Sequence, residues 1–299
     1  MTGALTAKEF KLLEQVEAHP GERATQRDLA AATGFSVGSV NKLVTSLSER
    51  GLLDKMALTE EGREALEPYR VRRAILIAAG FGERMVPITL NTPKPLVRVR
   101  GKRIIDSLLD ALEAAGVEDV YIVRGYLGEQ FDQLRYRYPN VKFIENEIFN
   151  EANNISSALA ASGLLENAYV LESDILLANP RLITKYQYES NYLAFPVERT
   201  DDWCFYVKHG VIDSLAVGGL NCHQMCGISY WTAEDGRKLA EDIPKVIEMP
   251  GGKERYWDEV ALRYCKDRYR VAIRECRRED LVEIDTFREL QELDPSYSV

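Results

Sequence analysis

Apolar residues in the first part of the chain recur every three or four positions. In 6–19 they are Phe10, Leu12, Leu13 and Val16; in 36–51 they are Val37, Val40, Leu43, Val44 and Leu47. That spacing places each set on one face of a helix. Thr25 is placed to cap a helix over 26–34, Ser36 to cap the next, and Gly51 to stop it. Two helices joined by a turn at Gly34 make a helix-turn-helix pattern. The segment 52–66 (LLDKMALTEEGREAL) reads as a short wing and a closing helix.

From Arg73 the rhythm changes. Apolar runs at 74–78 (AILIA), 119–125 (DVYIVRG), 141–146 (VKFIEN) and 168–174 (AYVLESD) alternate with helical patterns over 104–116, 128–138 and 154–165. Strand and helix in alternation predict an α/β domain with a parallel sheet and right-handed crossovers. Ligands of such sheets sit at the carboxyl ends of the strands. That rule puts the loop from Gly80 to Arg84, Gly125-Tyr126 and Asp174 along one edge. The runs 191–197, 203–208 and 211–217 read as strands outside the repeat. Helices are expected near 232–247 and 254–266, and a strand entering a helix over 281–293. The pattern divides the chain into a small domain over 1–68 and a larger one over 73–299.

Composition narrows the partners. The 299 residues carry a net charge of −9, which does not suggest general binding to nucleic acid or acidic membranes. Over 1–70 there are nine Lys/Arg against eleven Asp/Glu. Phosphate contacts dominate DNA affinity, and the presumptive recognition helix offers only Lys42 and Arg50. Ser36, Ser39, Asn41 and Thr45 can still read bases. The small domain therefore stays open between DNA and a docking partner, a second copy of the chain included. No apolar run reaches spanning length, so no membrane insertion is expected. Five cysteines without framework spacing suggest reduced thiols and a cytoplasmic protein. Cys204, Cys265 and Cys276 read as small buried residues. The 222–226 stretch (CHQMC) lacks the second ligand pair of a structural zinc site.

The stretch 78–95 (AAGFGERMVPITLNTPKP) follows the first apolar strand of the larger domain. A glycine loop after a buried strand suggests phosphate. It has neither the third glycine of a dinucleotide fingerprint nor the Lys-Ser/Thr of a P-loop. Together with 93–96 (PKPL), 78–84 (AAGFGER) resembles the nucleotidyltransferases that activate sugar and alcohol phosphates. Further segments narrow the resemblance: 124–134 (RGYLGEQFDQL), 145–159 (ENEIFNEANNISSAL), 171–174 (LESD), 202–207 (DWCFYV), 255–260 (RYWDEV) and 283–290 (EIDTFREL). In this order they are similar to bacterial CTP:phosphocholine cytidylyltransferases. The likeness spans about residues 73–295 and leaves the small domain outside it.

The resemblance implies a Rossmann-like nucleotidyltransferase fold with a mixed, mostly parallel sheet, preceded by a small winged-helix domain. It implies transfer of CMP from CTP to phosphocholine, giving CDP-choline and pyrophosphate. The attacking phosphate oxygen is already an anion, so no general base is required. This agrees with a chain of three histidines, none in a motif.

Ala78, Ala79, Gly80, Gly82 and Glu83 form the nucleotide loop. Arg84 is expected on the β/γ-phosphates and Lys94 on the α-phosphate. Asp174 and Asp285 are expected to hold one Mg²⁺, the geometry two converging carboxylates offer; Asp285 is also placed to cap a helix. Tyr126, Asn153, Asn154 and Ser156 correspond to the family's nucleotide-side loops, with helix capping as the plain alternative for the asparagines. A trimethylammonium group needs aromatic faces and a carboxylate. Trp203, Tyr256, Trp257, Asp258 and Glu283 are the candidates, whereas Trp231 reads as core. The acceptor stays open between phosphocholine, 2-aminoethylphosphonate and another alcohol or sugar phosphate. A regulator with a transferase-like sensor domain is the reading from a different class.

Overall fold

The computed structural model describes residues 4–18 and 25–298. It divides into two compact units: Met1–Arg70 with Tyr186–Tyr188, and Val71–Lys185 with Glu189–Val299.

In the first unit α1 (Ala7–Glu17), α2 (Gln26–Thr33) and α3 (Val37–Glu49) precede the hairpin β1 (Leu53–Asp54) and β2 (Ala57–Leu58). α4 (Glu60–Leu66) closes the unit. His19, at the end of the first predicted helix, lies outside the described residues. Thr25 caps α2 through the Asp28 amide, and Ser36 caps α3 through that of Ser39. Gly34 ends α2 at φ 72°, in the left-handed region that favours glycine. Leu12, Leu13, Leu29, Val40, Leu47 and Leu52 form the core, all within 1% of complete burial. Tyr186 joins that core, and Tyr69 and Tyr188, stacked on each other at 5.4 Å, pack against its rim. Apolar stripes foretold α1 and α3, the Thr25 cap α2, and the wing-and-helix pattern α4; nothing in the local pattern foretold a contribution from 186–188.

The second unit is built on a seven-stranded sheet. Its strands are β3 (Arg73–Ala78), β6 (Asp119–Arg124), β7 (Val141–Glu145), β8 (Ala168–Glu172), β10 (Asn191–Lys208), β11 (Val211–Trp231) and β12 (Ala272–Glu275). Their order is β10-β12-β11-β8-β3-β6-β7. β8, β3, β6 and β7 are parallel, and β11 enters antiparallel to β8. Small hairpins add β4 (Arg98–Val99) with β5 (Lys102–Arg103), and β9 (Ile175–Leu177) with β13 (Leu281–Glu283). Ala74, Leu76 and Ala78 of β3 join one core with Leu108, Leu109 and Leu112 of α5 (Asp106–Ala114). Ile75 and Ile77 join the opposite core with α6 (Ile155–Ala160) and α7 (Ala233–Ile247). A strand buried on both faces explains its unbroken apolar run.

Three expected elements differ. The segment 128–136 winds as 3-10 turns, which suits its sparse apolar positions better than an α-helix. The helix expected over 254–266 shrinks to one wide turn, Val260–Tyr264; Trp257 and Asp258 before it serve a buried polar network instead. The three strands expected over 191–217 are two long ones. Cross-strand pairing continues through polar 198–202, with register shifts near Thr200 and Trp203 and Gly218 at φ 72°. Trp231 is core, fully buried. Cys204 and Cys276 are buried, while Cys265 is only partly so.

Candidate active site

The glycine loop leaves β3 at its carboxyl end. Gly82 has φ 65°, and a Cβ there would press on Thr89 Cγ2 at 3.0 Å and Lys94 Cβ at 3.1 Å. A Cβ on Gly80 would meet no protein atom within 4 Å. Gly82 thus lets the loop close, whereas Gly80 leaves room on the cavity side. The Gly82 carbonyl accepts from the Met85 amide and the Thr89 hydroxyl, both at 2.9 Å, which fixes the turn. Beneath it Met85, Val97, Ile104 and Ile284 are buried together. Ile284 therefore pins the strand end that presents Glu283 and Asp285 on either side of it.

A cavity of about 540 Å³ opens over this loop. Ala78, Ala79, Gly80, Gly82, Glu83, Arg84, Lys94, Asn153, Asn154, Ser156, Asp174, Tyr256 and Asp285 all line it. Lys94 Nζ lies 2.8 Å from Asp174 Oδ2 and 3.0 Å from Asp285 Oδ1, and Arg84 Nη2 reaches Asp285 Oδ1 at 2.7 Å. Burial pushes the Lys94 ammonium down, yet the two carboxylates outweigh it and hold the group above the ordinary lysine value. Asp285 does not cap the last helix, α8 (Phe287–Leu293): Thr286 does that through the Glu289 amide. The capping alternative thus falls, and the Asp285 carboxylate faces the cations.

Glu283 stands with these groups. Asp174, Glu283 and Asp285 each offer an oxygen, all within 4.8 Å of one another. Asp174 Oδ1 is buried and has no hydrogen-bond partner. An all-oxygen set with an unsatisfied buried acceptor fits a hard divalent cation. Burial, reinforced by the charges of Asp174 and Asp285, pushes Glu283 well above the usual carboxylate range. Glu283 also lines a second cavity of about 360 Å³ with Asp202, Gln224 and Met225.

The aromatic candidates divide. Trp203 and Tyr256 meet edge to face with centroids 5.2 Å apart; Tyr256 is 40% exposed. The Arg263 guanidinium lies 6.0 Å from the Trp203 ring. Trp257 and Asp258 do not present surface to a ligand, contrary to the sequence expectation. Trp257 is 1% exposed and packs on Trp231 at 5.9 Å. Asp258 accepts the Tyr192 hydroxyl at 2.5 Å, and burial pushes its carboxyl up to about 7.

The nucleotide-side candidates are placed in the same way. The Tyr126 hydroxyl donates to Leu90 O at 3.2 Å and its ring rests on Phe81, outside the cavity lining. Asn154 sits at the start of α6 without a capping bond from its side chain. Its Nδ2–H donates to Glu172 Oε1 at 3.1 Å, and its Oδ1 accepts the Trp257 amide at 2.9 Å. Asn153 donates from Nδ2 to Glu254 O at 3.2 Å, and Ser156 donates to Asn153 O. The asparagine amides are thus engaged with the protein. Sequence reasoning missed Glu172; an acid inside an apolar strand, two positions before Asp174, was the available signal. Residues 222–226 lie within β11.

Residues 74–211 match the MobA-like NTP transferase domain, and residues 5–64 match the MarR family. The 2-aminoethylphosphonate cytidylyltransferase of Lancefieldella rimae is 35% identical over 228 residues, which cover 75% of this chain and 92% of that protein. The chain belongs to the cytidylyltransferase family. The choline-phosphate cytidylyltransferase of Streptococcus pneumoniae is 28% identical over 74% of the chain and 96% of its own length. The solved structure of the CTP:phosphocholine cytidylyltransferase from that organism superposes with a TM-score of 0.70 at 29% identity, covering 76% of this chain and 99% of the other. The cytidylyltransferase is therefore an enzyme of nucleotidyl transfer on a mixed, mostly parallel sheet, and it carries a MarR-type winged helix ahead of that sheet. No helix of the described residues is long and apolar enough to cross a membrane.

Proposed function

We propose that the cytidylyltransferase moves CMP from CTP to phosphocholine, with Mg²⁺ held by Asp174 and Asp285 and with Glu283 beside them. The observation that carries the acceptor is the Trp203–Tyr256 pair, two rings meeting at 5.2 Å near the cavity that Asp174 and Asp285 share. Aromatic faces suit a quaternary ammonium that cannot donate N–H bonds. Bound Mg²⁺ supplies charge neutralisation for the phosphates. The chain's own part is positional. The glycine loop offers backbone amides, Lys94 meets the charge that builds at the α-phosphate, and Arg84 restrains the departing pyrophosphate.

A second reading makes 2-aminoethylphosphonate the acceptor. It is favoured by the relative of that name and by Asp202 and Glu283 in the adjoining cavity, since a primary ammonium prefers carboxylates. Incubation with CTP, Mg²⁺ and each acceptor in turn, following pyrophosphate, tests both. Higher kcat/KM for phosphocholine supports the first reading and the reverse supports the second. No release with either refutes both.

The winged helix supports a reading as a DNA reader, carried by exposed Asn41 and Lys42 on α3 and by the MarR match. The Asn41 amide already bonds Gln26 at 3.2 Å, and cations are few. Any affinity should therefore be weak, and with few phosphate contacts its fall with salt should be shallow. Retention of the intact chain on duplex DNA at low salt, lost on Lys42→Ala, is the expected result; no retention favours a docking role.

A further inference from the structure

Three separated segments meet at the aromatic edge of the site. Asn153 and Asn154 precede α6, Glu172 ends β8, and 253–257 carries Tyr256 into the cavity. The Asn153 amide donates to Lys253 O at 2.6 Å, and its side chain to Glu254 O at 3.2 Å. Asn154 Oδ1 accepts the Trp257 amide at 2.9 Å. Glu172 Oε1 then accepts twice, from Asn154 Nδ2–H at 3.1 Å and from the Trp257 indole N–H at 3.3 Å. Gly227 leaves the space this acid needs: a Cβ there would meet Glu172 Cβ at 3.0 Å and Cγ at 3.1 Å.

We infer that Glu172 is a positioning residue: with Asn153 and Asn154 it clamps the 253–257 segment and so fixes Tyr256 for the acceptor. The asparagine pair grips the segment at three backbone groups, two carbonyls and one amide. Glu172 orients the second asparagine and the indole at once, and Asp174 follows it by two residues on the same chain. The clamp thus sets the distance between the acceptor aromatic and the phosphate-facing carboxylates. Both bonds land on one oxygen. A glutamine keeps that acceptor, whereas a leucine of similar bulk leaves an amide N–H and an indole N–H without partners.

The acceptor part of this inference rests on the proposed function, so two readouts are needed. In the intact chain, Glu172→Leu should raise amide hydrogen exchange across 253–258. It should also raise KM for the favoured acceptor about tenfold, the effect of one or two buried donors left unpaired. KM for CTP should move less than about threefold. Glu172→Gln should restore both readouts to near wild type. Trp257→Phe, which removes the indole N–H together with part of a buried ring, should shift both in the same direction. Unchanged exchange in Glu172→Leu, equal rises in both KM values, or a glutamine as damaging as leucine would overturn the clamp. If Glu172→Leu fails to fold, Trp257→Phe against Glu172→Gln makes the same comparison. If the wild type turns over neither acceptor, the proposed function falls, and the exchange result alone decides whether the clamp exists.

Discussion

The two ends of the site are held by different means. At the phosphate end, charged groups from distant strands converge and neutralise one another: Lys94 between Asp174 and Asp285, Arg84 on Asp285. At the end proposed for the acceptor two aromatic rings meet, and two nearby carboxylates are engaged by protein donors. Asp258 holds Tyr192, and Glu172 holds Asn154 and Trp257. Charge at the first end is available to a ligand. At the second end, Asp258 and Glu172 hold neighbouring side chains in place. Substitutions at the two ends should therefore fail in different kinetic parameters.

The largest effect is expected at the phosphate end. Asp174→Asn keeps the size of the group and removes its charge, and kcat should fall by about 10²–10³. Pyrophosphate release at saturating CTP measures this; near-full turnover would break the contrast by showing that the carboxylate is merely structural. Next, Trp203→Ala should raise KM for the acceptor by about ten- to thirtyfold, as loss of a desolvated cation–π contact implies, with KM for CTP little changed. Arg84→Ala should do the opposite, raising KM for CTP about tenfold while sparing the acceptor, since it removes one charge-assisted contact to phosphate. Equal effects on both substrates in either variant would erase the distinction.

The smallest effect concerns stability. Asp258 titrates near 7 in the folded chain, above its ordinary value of 3.8. The folded state therefore binds the proton more tightly than the unfolded one. The favourable contribution is complete below about pH 4 and is lost as pH rises toward and through 7. Asp258→Asn keeps an acceptor for Tyr192 and cannot ionise. Melting temperatures from pH 5 to 8 should fall less steeply for that variant than for the wild type. Parallel slopes would show that Asp258 is not the titrating group.

What the sequence disclosed follows the same division. Arg84, Lys94, Asp174 and Asp285, which the structure brings together, each sit in a local signal: a glycine loop, the 93–96 (PKPL) segment of the family resemblance, or the polar end of a strand. Glycine needs at the loop are backbone needs, written at the position itself. Trp257 and Asp258 were misread because neighbours in 255–260 (RYWDEV) take opposite environments: Tyr256 faces the cavity while the next two residues enter the core. That choice depends on Tyr192 and Glu172, far away in the chain, and no local pattern encodes it. The asparagine pair illustrates the same limit. Its side-chain amides suit a pyrimidine equally well until Glu254, Glu172 and Trp257 are seen to occupy them. Helical stripes and strand alternation carried most of the fold, but the long β10–β11 hairpin was hidden by its polar middle.

The winged-helix unit takes Tyr186 and Tyr188 into its core and rim, and these residues are made long after Arg70. On the ribosome, its helices emerge before these tyrosines and wait with part of their apolar surface uncovered. Only when synthesis has passed β8 and β9 can that unit be completed. The order of emergence thus ties maturation of the winged-helix unit to production of Asp174, which precedes Tyr186 in the chain. A nascent chain arrested before that point would carry an unfinished winged helix.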